Sequence, residues 1–153
     1  RINGMTFNDG KFVGVGDEKV VINSTDAIHW TKRTLGDVST ACNLGSVIYD
    51  CNHWLVTGRS AGAANAFGSL SASTDSIHWT QRTTGIPDEH REIIYHDVKK
   101  TYFMNSLGCS AASSTDAIHW TLRTIGLSTC SCACGSLSQS QDYYVVNHWY
   151  NGG

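Results

Sequence analysis

Apolar residues in this chain come in short runs broken by small polar turns. Phe7 is followed by Asn8-Asp9-Gly10-Lys11 and then by Phe12-Val13-Gly14-Val15-Gly16. The layout returns as Tyr49-Asp50-Cys51-Asn52-His53 before Trp54-Leu55-Val56-Thr57-Gly58. It returns again as Tyr95-His96-Asp97-Val98-Lys99-Lys100 before Thr101-Tyr102-Phe103-Met104. An apolar run, a turn-forming pair such as Asp-Gly and a second apolar run predict a β-hairpin. In the first unit the pattern predicts four strands, centred near residues 4–7, 12–15, 20–23 and 28–33.

One segment recurs almost unchanged. Ser24-Thr25-Asp26-Ala27-Ile28-His29-Trp30-Thr31-Lys32-Arg33-Thr34-Leu35-Gly36 returns as Ser73-Thr74-Asp75-Ser76-Ile77-His78-Trp79-Thr80-Gln81-Arg82-Thr83-Thr84-Gly85. It returns once more as Ser114-Thr115-Asp116-Ala117-Ile118-His119-Trp120-Thr121-Leu122-Arg123-Thr124-Ile125-Gly126. The copies differ only after the Asp, two residues after the Trp and just before the Gly. Such identity marks an internal repeat, and a repeat decides architecture before any single motif does. Each Asp falls between two strands, where its carboxylate can accept backbone N–H groups just downstream. Trp30, Trp79 and Trp120 each offer roughly 150–250 Å² for burial. Lys32, Gln81 and Leu122, which vary freely, are expected at the surface. On a strand over 28–33, Ile28 and Trp30 would share one face and His29, Thr31 and Arg33 the other.

Four short antiparallel strands in about 40 to 50 residues is the plan of a propeller blade. The expectation is an all-β, propeller-like array of four-stranded antiparallel blades over 1–36, 37–85 and 86–126, with a partial fourth over 127–153. A closed propeller takes about 4 to 8 blades. The count therefore predicts a homo-oligomer or a longer parent chain. The chain also opens on Arg1, with no Met and no charged-then-apolar leader, as a processed chain or a piece of a longer one would.

Composition narrows the partners. Aromatics are 10% of the chain, with five Trp, which suits aromatic-anchored strands better than Leu-striped helices. The net charge is −2 and no basic run occurs, so the electrostatic term that drives nucleic-acid binding is missing. No stretch approaches the ~20 apolar residues of a membrane span, so no membrane insertion is expected. The six cysteines are Cys42, Cys51, Cys109, Cys130, Cys132 and Cys134. Their even count predicts an oxidising compartment and at least one disulfide. Cys130-Ser131-Cys132-Ala133-Cys134 would point three thiols to one face of a strand, unlike the spacing zinc usually takes. No metal site and no cofactor is expected. One glycosylation acceptor triplet is present, Asn23-Ser24-Thr25.

The repeat resembles the Asp-box of sialidase-type propellers, Ser-x-Asp-x-Gly-x-x-Trp, shortened by one residue between Asp and Trp. It resembles more closely the Ser-Ser-Asp-Gly-x-x-Trp-Thr repeats of propeller modules in secreted or surface bacterial proteins and phage virion proteins. The likeness covers residues 2–126 and part of a fourth unit, with Ala27, Ser76 and Ala117 standing where the family has Gly. It implies the fold and an extracellular, cell-surface or virion setting. It does not imply one activity, because functions are grafted onto folds.

His29, His78 and His119 recur at one position, but equivalent positions lie far apart around a ring and cannot converge on one ion. They are expected to be exposed or half-packed structural side chains. Arg33, Arg82 and Arg123 could contact carboxylates or sugars through the guanidinium fork. The simpler expectation is a charge-assisted bond to the turn Asp or to a neighbouring blade. Asn52-His53-Trp54 and Asn147-His148-Trp149 form similar triplets whose aromatic ring could stack on a sugar face. A sialidase-like site implies three Arg in a central pocket with a Tyr nucleophile and an acid. Here the repeated Arg fall on outer strands, and Asp88, Glu89 and Glu92 fall in one polar stretch that reads as a loop. The leading expectation is accordingly a non-catalytic, non-enzymatic module for assembly or adhesion. The alternatives are a lectin with one shallow site per blade and, third, a glycoside hydrolase.

Overall fold

The computed structural model describes residues 1–35, 42–60, 68–86, 89–106, 110–124, 134–140 and 144–148. Four strands make the first sheet: β1 Ile2–Asn8, β2 Lys11–Gly16, β3 Val20–Ser24 and β4 Thr31–Thr34. The second holds β5 Cys42–Tyr49, β6 Trp54–Ser60, β7 Gly68–Ser73 and β8 Thr80–Arg82. The third holds β9 His90–His96, β10 Thr101–Ser106, β11 Ser110–Ser114 and β12 Thr121–Thr124. β13 Cys134–Gln139 and β14 Tyr144–His148 pair as a two-stranded sheet. Every pairing joins neighbours in sequence and is antiparallel. The first hairpin shows why. Asp9 and Gly10 both take positive φ, 49° and 65°, the turn geometry whose twist matches that of the flanking strands.

The first strands gather around a common axis: β1 lies beside β5, β5 beside β9 and β9 beside β13. The approach is close enough to require glycine. A Cβ on Gly4 would stand 2.8 Å from the Gly45 carbonyl oxygen, and one on Gly45 would stand 2.7 Å from that of Arg91. The protein is an all-β, propeller-like array of four-stranded blades.

The core lies between blades. Val13, Val15 and Val21 of the first blade pack with Leu44, Val47, Trp54 and Val56 of the second. Leu55, Leu70 and Ala72 of the second pack with Ile93, Tyr102 and Met104 of the third. Phe103 and Ala111 meet Leu137 of β13. Trp79 packs against the first cluster and Trp120 against the second, so each repeat Trp seals the joint to the preceding blade. Both are half-buried, as a sealing role requires. Trp30 is 37% exposed because no blade described here precedes the first. Hairpin register equates Met5 with Val47 and Ile93. Met5 is 52% exposed, against 6% and 1% for the other two.

The three Asp turns match. Asp26, Asp75 and Asp116 each accept the backbone N–H groups two and three residues on through Oδ1, at 2.7–2.9 Å. Ser24, Ser73 and Ser114 donate to the same oxygen. This clasp corrects the strand expected over 28–33. Ile28 and His29 give their N–H groups to Asp26 instead of to a ladder, so β4 begins at Thr31 and Ile28 projects into solvent. Ala27, Ser76 and Ala117 take φ of 60°, 64° and 57°, the left-handed conformation in which glycine would be unstrained. Ser76 and Ala117 are buried against the preceding blade, whereas Ala27 is exposed.

The expected disulfide finds no support among the described cysteines. Cys42 is a free, buried thiol beside the Ser69 hydroxyl, and Cys51 is free and exposed. Cys109, Cys130 and Cys132 lie outside the described residues, and Cys134 is described by its backbone alone.

Candidate functional site

The inner strands β1, β5 and β9 each carry one bulge, and these three fall at equivalent places. Asn3, Gly45 and Arg91 have no partner opposite them: pairing skips from Ile2 to Gly4, from Leu44 to Ser46 and from Glu92 to His90. A bulge breaks the in-out alternation of a strand and re-aims its side chains. Here the three bulges surround the axis and line two adjoining clefts, of about 540 and 280 Å³. The larger adds Met5, Ser46 and Glu92, and the smaller adds Asp17, Asn43 and Arg59.

The polar side chains of this axial mouth are held by one another. Asn3 donates from Nδ2 to Asp17 Oδ1 and to the Leu44 carbonyl, both at 2.9 Å. Arg59 and Arg91 bracket Glu89, at 3.5 and 3.9 Å from its Oε2. Arg91 Nε is out of solvent and meets no acceptor. The Glu92 backbone N–H is fixed by Asn105 Oδ1 at 2.9 Å, and its carboxylate accepts the Leu137 N–H at 2.5 Å. Burial pushes the Glu92 carboxyl above its ordinary value, and the bond from Leu137 opposes this only in part. A carboxyl biased toward its protonated form at the edge of a cleft can give a proton to a leaving oxygen. Beneath it His90 is buried, its ring between the hydroxyls of Thr84 and Ser106 at 2.8 and 3.3 Å.

Sequence reasoning missed this mouth. Glu89 and Glu92 were expected in a loop, yet Glu92 lies within β9 and faces the axis. The one available signal was the polar pair Arg91-Glu92 heading the apolar run Ile93-Ile94. Asn3 and Arg59 offered none, because neither belongs to the repeat.

The residues singled out from the sequence fall elsewhere. Trp54 is 0% exposed, locked between the first two blades, so it cannot stack on a sugar. Asn52 and His53 stand at the surface of the β5–β6 turn, their N–H groups held by Asp50 Oδ1 at 2.8 and 2.5 Å. Asp50 is buried and is tied to the third blade by the Tyr102 hydroxyl. Burial raises its pKa, but bonds from Tyr102, Asn52 and His53 outweigh burial and hold it below the usual range. Asn147 and His148 lie on β14, where the backbone alone is described, and Trp149 lies outside the described residues.

His29, His78 and His119 are exposed, each with Nδ1 2.6–2.7 Å from its turn Asp. Arg33 and Arg82 do not reach the turn Asp carboxylates. Their Nε atoms are buried and unpaired, while Arg123 Nε donates to Ser113 Oγ at 2.8 Å. Asn23 is half-buried and turns its amide to Ser76 of the next blade. Among the described residues, no group of three His, Cys, Asp or Glu is placed to hold a metal ion.

No family model and no curated relative matches the chain. Its fold does match solved structures. One is a GH130 glycoside hydrolase from the mannoside phosphorylase family that targets β-1,2 mannosidic linkages in Candida mannan: TM-score 0.58, 16% identity, 80% of this chain and 48% of that one. Another is the Bacteroides ovatus xyloglucan PUL GH43B: TM-score 0.61, 16% identity, 97% and 35%. A third is the Bombyx mori GH32 β-fructofuranosidase: TM-score 0.59, 16% identity, 96% and 40%. The chain thus spans less than half the length of each. The likeness is one of fold. It still corrects two expectations, the non-catalytic assembly or adhesion module and the exclusion of an enzyme, because the scaffold these blades share is that of glycoside hydrolases.

Proposed function

We propose that these blades form part of a carbohydrate-active propeller that binds a glycan at the axial mouth and cleaves a glycosidic bond there. The observation that carries this is the convergence of side chains from three blades on two adjoining clefts. Asn3 and Asp17 come from the first, Asn43 and Arg59 from the second, and Arg91 and Glu92 from the third, with Glu89 paired to both Arg. Glycoside cleavage asks for one carboxyl that gives a proton and one carboxylate on the other side of the bond. Glu92 suits the first role through its burial. Asp17 is the other carboxylate that lines this mouth, and Glu89 stands behind it against Arg59 and Arg91. Asn43 and the guanidinium groups of Arg59 and Arg91 supply donors for sugar hydroxyls.

An extracellular or surface setting, where polymeric glycans are met, accords with this reading. The test is turnover of a panel of chromogenic glycosides by the intact protein and by Glu92→Gln, which keeps the acceptor for the Leu137 N–H and removes the proton. Loss of turnover with glycan binding retained supports the assignment. Equal turnover by the variant, or none by the unaltered protein across the panel, overturns it.

A further inference from the structure

Two blades carry the same open cleft on their outer strands. In the first it is lined by His29, Thr31 and Arg33, with Lys11 at one side. In the second it is lined by His78, Thr80 and Arg82, with His53 at that side. Register makes these equivalent: Arg33 stands opposite Val21 as Arg82 does opposite Leu70, and Thr31 opposite Asn23 as Thr80 does opposite Ala72. Each cleft has a guanidinium whose Nε–H is out of solvent and meets no acceptor. Buried donors are nearly always paired, so an unpaired one at the same place in two blades asks for a partner.

The third blade shows which partner fits. There Arg123 Nε donates to Ser113 Oγ at 2.8 Å. The residue at the Ser113 position is Asn23 in the first blade and Ala72 in the second. Alanine has no oxygen to offer, and the Asn23 amide is directed at Ser76, 3.5 Å away. The third blade fills the position from its own chain, and the first two leave it open. Nor do the nearby carboxylates fill it. Asp75 borders the first cleft, but His78, Ile77 and Ser73 take up its oxygens. Asp26 is engaged in the same way by His29, Ile28 and Ser24.

We infer that the first and second blades each bind an acidic sugar, its carboxylate on the guanidinium of Arg33 or Arg82 and its hydroxyls on the adjoining threonines. A guanidinium presents a planar fork that matches a carboxylate in two parallel bonds, and no neutral sugar oxygen offers that match. Lys11 adds a donor to the first cleft. These sites are separate from the axial mouth and anchor an acidic glycan whether or not the mouth cleaves it.

The intact chain titrated with glucuronate and with glucose, followed by calorimetry, tests this. Glucuronate should bind with two sites per chain, and glucose weaker by about tenfold or more, the margin of one charge-assisted bond. Ala72→Ser gives the second blade the hydroxyl that fills the third and should remove one site without harm to folding. Arg33→Lys in that background keeps the charge, loses the fork and should remove the other. Glu92→Gln, which alters only the mouth, should leave both, so failure of the cleavage reading would not be mistaken for failure of this one. No glucuronate binding, equal affinity for glucose, or two sites surviving Ala72→Ser would each overturn the inference.

Discussion

A carboxylate that accepts two backbone N–H groups and a histidine ring nitrogen is hard to protonate. Asp75 is held far below the carboxylate range by the His78 ring, then by the N–H groups of His78 and Ile77, with burial opposing. Its folded pKa is therefore depressed. The stabilisation is fully present above the unfolded value of about 3.9 and is lost as pH falls toward the folded one. The same sign holds for Asp26 and Asp116. Thermal unfolding should shift to lower temperature below about pH 4, and Asp75→Ala should flatten that dependence. An unchanged profile in the variant would reject the clasp as its source. The residue after each Asp gives a second expectation. A left-handed non-glycine residue costs roughly 1–2 kcal/mol, and glycine loses part of that advantage through unfolded-state entropy. Ala27→Gly should thus stabilise the chain by up to about 1 kcal/mol in denaturant titration. The Asp turns were legible because three copies repeat one chemistry. The Asp50–Tyr102 bond was not, because it joins two blades at positions that do not recur. Tyr102→Phe leaves a buried carboxylate short of one donor and should cost about 1–3 kcal/mol by the same titration.

At the scale of elements, hairpin signals placed the strands, and the one boundary that moved did so for a local reason. β4 starts three residues later than periodicity suggested, because the clasp withdraws two N–H groups from the ladder. Periodicity records which side chains alternate. It does not record which backbone donors a side chain has already taken. Blade packing follows from the same faces. Met104 of β10 is fully buried between the second and third blades, while Leu122 of β12 is largely exposed. Met104→Ala should therefore cost about 2–5 kcal/mol and Leu122→Ala less than about 0.5 kcal/mol in equilibrium unfolding. Similar losses at both positions would mean that the blade joints are not where the core lies.

At the scale of the whole molecule, the axial mouth was illegible for a geometric reason. It draws on each blade's inner strand near its bulge, and no window of sequence holds those residues together. Counting units predicts a homo-oligomer or a longer parent chain, and the leading face of the first blade bears on that expectation. Met5, Phe7, Ala27 and Trp30 stand exposed there. At the equivalent places of the next two blades, Val47 and Ile93 are buried under a preceding blade, and so are the turn residues Ser76 and Ala117. The repeat has thus built the same joint a third time without a blade to fill it. Contiguous apolar surface of this kind is costly to leave in water and favours association. A second copy of the chain, or blades elsewhere in a longer parent, would supply the complementary trailing face. We expect the 153-residue chain alone to self-associate through this face, and the paired substitution Met5→Ser and Phe7→Ser to shift it toward monomer. Light scattering decides between the outcomes. A monodisperse particle of 16.6 kDa from the unaltered chain would show that the bare face needs no partner. Association that the paired substitution leaves intact would place the contact on another surface.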